Sequence, residues 1–299
     1  MLITILESEA PVVVAGVLAR DKEFVRDVVK SRAPLDTAAA IEGNMLVENT
    51  EDELCLEIRG RARLSFDDDC VISLTGALFS VSINGESIPH YCAAQVDKGD
   101  GLTVENTSLG GVMYIAVNGI WESQKRVLSA GDSVTVNENS ENLYNMDLRC
   151  MNLPEKQGEN LIRLIPGPYA QQYGEHTLEL LYTTEFTVKS SDRERVCLSG
   201  VPVGSALELD GLAYAPVGSV ILGEEGEPCI LLQDSAPLTR CKCIATVISS
   251  DISRLVQLGM GERLRFSPCT VQASQKLMTY ARKEYIMNYL TLNSYQIEE

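Results

Sequence analysis

Val81-Ser82-Ile83-Asn84-Gly85-Glu86-Ser87-Ile88 sets an Asn-Gly pair between apolar residues that alternate with polar ones. Alternation with a period of two puts Val81 and Ile83 on one face of a strand, and Asn-Gly is the pair a two-residue hairpin favours. The pattern repeats outward from there. Short apolar runs rich in β-branched residues occur at 54–58, 71–74, 78–83, 112–117, 134–136, 229–232 and 244–248, each broken by turn residues. Asn118-Gly119, after Met113-Tyr114-Ile115-Ala116-Val117, marks a second turn. Many short strands at close spacing predict a mainly β (α+β) protein built of barrels or sandwiches, not a parallel α/β sheet.

Few helices are expected. Phe24, Val25, Val28 and Val29 mark an apolar face on a short one, and Asp36 is placed to cap a run opening Thr37-Ala38-Ala39-Ala40. Pro168 opens another, carrying Ala170, Leu178 and Leu181. Asp251 caps a fourth, with Ile252, Leu255 and Val256 on one face and Gly259 as its stop. Residues 275–290 are rich in helix formers and aromatics and predict a longer surface helix. The polar stretches 137–142 and 154–160 suggest a boundary, dividing the chain into a β-rich domain at 1–150 and a barrel domain with terminal helix at 151–299.

A chain of 299 residues buries roughly three quarters of its unfolded surface and needs no staples. Lys+Arg 25 against Asp+Glu 42 gives a net charge of −17. That balance argues against nucleic acid and against anionic lipid as partners, since both demand basic clusters. No uncharged run is long enough to span a bilayer. The opening MLITILESEAP reads as a first strand and not as a secretory signal. Nine cysteines, an odd number spread mostly through apolar runs, predict a reduced, cytoplasmic protein.

Chemistry-bearing motifs are sparse. Cys241-x-Cys243 puts two thiols on one strand face, but no second pair accompanies them and neither histidine has ligand spacing, so no metal site is expected. His90 near a turn and His176 in a polar segment read as surface histidines. Phosphate-loop, nucleophile-elbow and zinc-helix motifs are absent, as is a Met-Lys-Met biotin attachment site.

An ordered series of fragments carries a resemblance. Ile165-Pro166-Gly167-Pro168 is followed by Phe186-Thr187-Val188, Ser191-Asp192-Arg193, Pro228-Cys229-Ile230-Leu231-Leu232-Gln233-Asp234 and Ile244-Ala245-Thr246-Val247-Ile248. The second half closes on Gly261-Glu262-Arg263-Leu264-Arg265-Phe266. The first half supplies Ala33-Pro34-Leu35-Asp36, Leu56-Glu57-Ile58, Leu74-Thr75-Gly76-Ala77 and Tyr114-Ile115-Ala116-Val117-Asn118-Gly119-Ile120. Together they resemble the biotin-dependent carboxyltransferase family, also called allophanate hydrolase subunit 2, which includes KipA-like proteins and a subunit of bacterial 5-oxoprolinase.

The resemblance implies two barrel-like domains, at least one cyclophilin-like, and a KipI-like partner protein, joined in some assemblies by a LamB/YcsF-like one. It implies chemistry at a cyclic amide or urea-like carbonyl, with ATP or carboxybiotin supplied by the assembly and nothing bound covalently here. Carried over by position, Asp234, Arg193 and Asp192 become the catalytic candidates, and Asp36 and Ser191 the substrate-binding ones. Arginine can grip a carboxylate or carboxyamide through two parallel hydrogen bonds, and an aspartate can orient it or take a proton. A plainer reading has Asp36 capping a helix, Asp192 and Arg193 pairing across a turn, and Asp234 ending a strand.

The departures from the family fall in its polar loops. Where the family has Arg-Gln-Thr-Thr-Gly-Gly-Tyr-Pro after an aspartate, this chain has Ser235-Ala236-Pro237-Leu238-Thr239-Arg240-Cys241-Lys242. Trp121-Glu122-Ser123 passes almost directly to Ser129-Ala130-Gly131-Asp132, without the family's long Gly-Ser-Arg-Ser-Thr loop. Strands are kept and loops rewritten, which sets a working enzyme component against a catalytically silent binding or regulatory module.

Overall fold

A computed structural model describes residues 1–17, 24–25, 28–29, 33–105, 111–123, 125–137, 149–153 and 159–294. The chain divides into two compact units. Met1–Arg20, Arg32–Glu155 and Glu284–Glu299 form the first, and Asp21–Ser31 with Lys156–Lys283 form the second.

In the first unit the period-two pattern decides the packing. The strand Leu2–Ser8 turns Ile3 and Ile5 inward, and a register shift between Ile5 and Glu7 breaks the alternation, so that Glu7 is exposed and reaches Arg63 at 3.1 Å. It lies within a seven-stranded sheet, between Ser133–Asn137 and Ala62–Phe66. A six-stranded sheet is centred on Met113–Val117, flanked by Cys70–Gly76 and Cys55–Ile58. Both sheets feed one apolar core, to which Ile3, Leu64 and Phe66 come from one and Leu56, Ile72 and Ile115 from the other. All five residues of Met113–Val117 are buried, so this strand is covered on both faces.

The turn readings hold with one refinement. Asn84 and Gly85 both adopt positive φ, 50° and 91°, as a mirror-image hairpin turn requires, and join Ser80–Ile83 to Glu86–Ser87. Asn118-Gly119 is also a turn, but it carries the chain from the six-stranded sheet to Ile120–Glu122 in the seven-stranded one.

In the second unit, strands close into a barrel in the order Leu161–Pro166, Ala245–Val247, Ser219–Leu222, Pro228–Leu231, Arg195–Ser199, Glu185–Ser191 and Arg263–Pro268. The last strand returns parallel to the first. Phe186 and Phe266 meet inside with ring centroids 5.5 Å apart. Glu208–Tyr214 and Leu238–Cys241 form a separate two-stranded ribbon. Where Ile165-Pro166-Gly167-Pro168 leaves the barrel, a Cβ on Gly167 would stand 2.6 Å from the carbonyl oxygen of Cys243. Gly167→Ala should therefore cost ~1–3 kcal/mol by overpacking, read as a lower denaturant midpoint.

The helices depart from expectation in instructive ways. Phe24, Val25, Val28 and Val29 form no helix. They are two short strands paired Phe24↔Val29 and Val25↔Val28, a symmetric spacing that suits a hairpin as well as a helix face and that β-branched valines favour. α1, Thr37–Leu46, begins at the Asp36 cap as read. The helix after Pro168 is broken into α2, Ala170–Tyr173, and α3, Glu175–Thr183, by Gly174 at φ 83°. Asp251 is not a cap. It lies inside α4, Ser249–Val256, where its fully buried carboxylate accepts from Arg163 N at 2.8 Å and Nε at 2.9 Å, so α4 is bolted to the barrel strand beneath it. α5 spans Val271–Ser294, longer than read, and its part from Glu284 belongs to the first unit, where Leu292 packs with Met45 and Leu46 of α1. Among the described residues, no helix is long and apolar enough to cross a membrane.

The expectation of a fully reduced chain is overturned by a disulfide between Cys92 and Cys150. An odd cysteine count argues against a framework of many bridges but is silent on two thiols that meet across 58 residues. Around the bridge, Ala93 N donates to Arg149 O at 2.9 Å and Met151 N to Tyr91 O at 2.8 Å. A crosslink closing so long a loop restrains the unfolded chain. Cys92→Ser should lower unfolding free energy by ~2–4 kcal/mol, and mild reduction of the wild type should reproduce the loss in a urea titration.

Candidate functional site

The strand Glu185–Ser191 enters Arg195–Ser199 through a turn at Asp192-Arg193-Glu194. Asp192 holds that turn. Its Oδ1 accepts from Glu194 N at 2.7 Å and Arg195 N at 2.8 Å, the local bonding that makes aspartate a turn former. Asp192 thus does not pair with Arg193. Arg193 instead reaches the segment leaving Pro228–Leu231, where its Nε donates to Asp234 Oδ2 at 3.2 Å. The two side chains are 10% and 11% exposed.

Backbone bonds lace the same two segments together. Asp234 N donates to Arg193 O at 2.8 Å and Leu232 N to Glu194 O at 2.7 Å. Asp234 sits not at a strand end but in a turn beyond it, where Ser235 N and Oγ both donate to Leu232 O. Ser191, Asp192, Arg193 and Asp234 are therefore brought to one end of the barrel. A guanidinium is a rigid planar fork of five donors, and engaging Nε with a carboxylate fixes the plane in which the fork lies.

Asp36 is placed in the first unit. It caps α1, its Oδ1 accepting from Ala39 N at 3.1 Å. Beneath it lies a buried network that the sequence reading missed. Tyr114 and Glu57 are cross-strand partners, and the tyrosine hydroxyl donates to Glu57 Oε2 at 2.9 Å while accepting from Asp36 N at 2.8 Å. Leu35 N donates to the same Glu57 oxygen at 3.0 Å. Burial and the neighbouring Glu57 and Asp36 charges push the Tyr114 hydroxyl far up, which keeps it a neutral donor. Thr75 Oγ1 donates to Ala39 O and Ser73 Oγ to Gly43 O, fastening α1 to the sheet.

Glu42 on α1 was also missed. Burial, followed by the charges of Asp36 and Glu284, raises its carboxyl to about 8, so it is protonated at neutral pH. Sequence carried one signal for this region: Glu57 is an acid inside an apolar strand run. Nothing in sequence marked Tyr114 as its partner, because the pairing joins strands 57 residues apart.

The remaining polar candidates have packing roles. His90 is half-buried, with Nε2 2.7 Å from Phe79 O, and burial pulls its pKa down. Cys243 packs with Ala215 and Leu231.

Comparison with known proteins gives a consistent picture. A family model described as carboxyltransferase domain, subdomain A and B, matches residues 29–128 and 122–268. The chain is 25% identical over 265 residues to a 5-oxoprolinase subunit of Haemophilus influenzae, covering 81% of this chain and 84% of that one. Among solved structures, TTHA0988 superposes with a TM-score of 0.72 at 24% identity, over 89% of this chain and 55% of that one. The K. lactis urea amidolyase superposes with a TM-score of 0.79 at 20% identity, over 96% of this chain and 20% of that one. The chain thus spans about half of one of these solved proteins and a fifth of the other, and at these identities the likeness speaks for the fold.

Proposed function

The chain belongs to the carboxyltransferase domain family, subdomains A and B, and from that membership we propose that it serves as an enzyme component acting on the carbonyl of a cyclic amide or urea-like substrate. The observation that carries this reading is the Arg193–Asp234 pair at the barrel end, nearly buried and braced by backbone bonds on both sides. Arg193 holds the substrate carboxylate or carbonyl oxygen, and Asp234 fixes the guanidinium plane. Asp192 and Ser191 shape the turn that presents Arg193. A KipI-like partner, with a LamB/YcsF-like one where present, completes the assembly, and the reading places the protein in the cytoplasm.

ATP or carboxybiotin is supplied by that assembly, and no step is assigned to either on this chain. The segment that would have to approach such a group closely is unsuited to it. Leu238–Cys241 is a strand paired into a ribbon with Glu208–Tyr214, and it is preceded by Pro237 where the family has flexible loop. That same feature favours a second reading, a silent module retained for binding or regulation.

The two readings separate in one experiment. The full chain is co-purified with a KipI-like partner, and ATP-dependent glutamate release from 5-oxoproline is measured. The first reading expects release, lost on the order of 10²-fold in an Arg193→Met/Asp234→Leu double variant that still binds the partner. A complex that forms with no release, even when a LamB/YcsF-like protein is added and a urea-like substrate is offered with ATP, supports the silent reading. Failure to bind any such partner removes both.

A further inference from the structure

Cys197 and Cys229 occupy directly opposed positions on the antiparallel strands Arg195–Ser199 and Pro228–Leu231, with their sulfurs 2.8 Å apart. Opposed residues in an antiparallel pair have Cα atoms about 4.5 or 5.5 Å apart, which falls within the range a disulfide spans. Their exposures differ in a useful way. Cys197 is half-exposed, whereas Cys229 is buried at 7% exposure. Val196 and Leu198, on either side of Cys197, point into the barrel, so the thiol faces outward.

We infer that Cys197 and Cys229 form a redox-active dithiol that reacts with low-molecular-weight disulfides, Cys197 as the attacking thiol and Cys229 as the resolving one. In the first step the Cys197 thiolate attacks one sulfur of a disulfide R–S–S–R. The S–S bond breaks, a mixed disulfide forms at Cys197, and one thiolate R–S⁻ leaves. In the second step Cys229 gives its proton to solvent and attacks Cys197 Sγ. The Cys197–Cys229 bond forms and the second R–S⁻ leaves. Two protein thiols are oxidised and one small disulfide is reduced to two thiols.

The surroundings favour this direction of attack. The hydrogen bond from the Cys229 thiol, with further help from the Ser190 hydroxyl and the Arg195 guanidinium, lowers the Cys197 pKa, and the same bond raises that of Cys229. Other half-exposed thiols lack this arrangement. Cys269 lies beyond the end of its strand and Cys241 on the ribbon, and neither has a cysteine as its cross-strand partner. The new bond would tie together the two strands whose ends carry Arg193 and Asp234, and it does not depend on which substrate that pair holds.

The test uses the full chain, reduced, desalted and exposed to glutathione disulfide, with remaining thiols alkylated after denaturation and located by peptide mass mapping. Cys197 and Cys229 should vanish together into one intramolecular disulfide. Cys229→Ser should accumulate a stable glutathionyl adduct at Cys197, and Cys197→Ser should leave Cys229 unmodified. The wild-type map needs no variant to fold, so it stands alone. Recovery of both residues as alkylated thiols, or a glutathionyl adduct at Cys197 that persists in the wild type, would overturn the proposal. Modification confined to Cys241 or Cys269 would overturn it equally.

Discussion

Arg193→Ala should destabilise the protein by ~3–5 kcal/mol, whereas Arg193→Met combined with Asp234→Leu should recover most of that loss. Burial sets the size of this loss. Both side chains of the pair are about nine-tenths covered, so removing the arginine takes from the Asp234 carboxylate a buried charged partner that water cannot fully replace. Removing both charges together removes that imbalance within the pair. The exposed pair Arg63–Glu7, with side chains 53% and 68% accessible, is the internal contrast, and its loss should cost under about 1 kcal/mol. Arg193→Lys should fall between, because it keeps a charge but loses the planar fork. Urea titrations of these variants beside the wild type decide the matter. If the single and double variants unfold at the same midpoint, losing one charge costs no more than losing both, and the pair does not hold the barrel end together. The double variant is also what makes the activity test clean, since it separates loss of the fork from loss of the fold.

How much of this was legible in the sequence depends on the range of the interaction. Alternation and Asn84-Gly85 are local, and they located strands and a hairpin that the fold retains. The Asp36 cap is local too, a side chain bonding three residues ahead. The failures are pairings. Asp251 looked like a cap because aspartate before an apolar face often is one, but its partner Arg163 lies 88 residues away. Asp192 and Arg193 looked like a pair because they are adjacent, yet adjacency on a tight turn sends the two side chains to different partners. Cys92 and Cys150 meet only because two loops of one unit are brought together. Phe24 to Val29 failed for another reason, since four apolar residues in pairs fit a helical turn and a minimal hairpin equally well. The candidate site follows the same division. Ser191-Asp192-Arg193 and Asp234 could be named by resemblance, but that Arg193 and Asp234 bond to each other needed the barrel.

Glu42→Gln should leave stability almost unchanged at pH 5 and raise it by ~2–4 kcal/mol at pH 9. Folding moves this carboxyl from its ordinary 4.5 to about 8. Between those values the unfolded chain gives up the proton while the folded chain keeps it, so each step upward in pH favours unfolding. The penalty is absent below about 4.5, grows across the interval and is complete above about 8. Each factor of ten is worth about 1.4 kcal/mol, and the lower end of the stated range allows for solvent reaching a half-buried group. Glutamine has the same shape and no proton to lose, and every other titrating group is common to both proteins. The difference between the two stability curves therefore isolates Glu42. A difference that stays flat from pH 5 to 9 would mean the carboxyl ionises normally in the folded protein. The origin of the shift can be tested in the same way. Asp36 contributes more than Glu284 to holding the proton on Glu42, and asparagine caps a helix as well as aspartate does. Asp36→Asn should thus lower the pH at which the difference stops growing, and shrink its final size, without loosening α1, and Glu284→Gln should do so less.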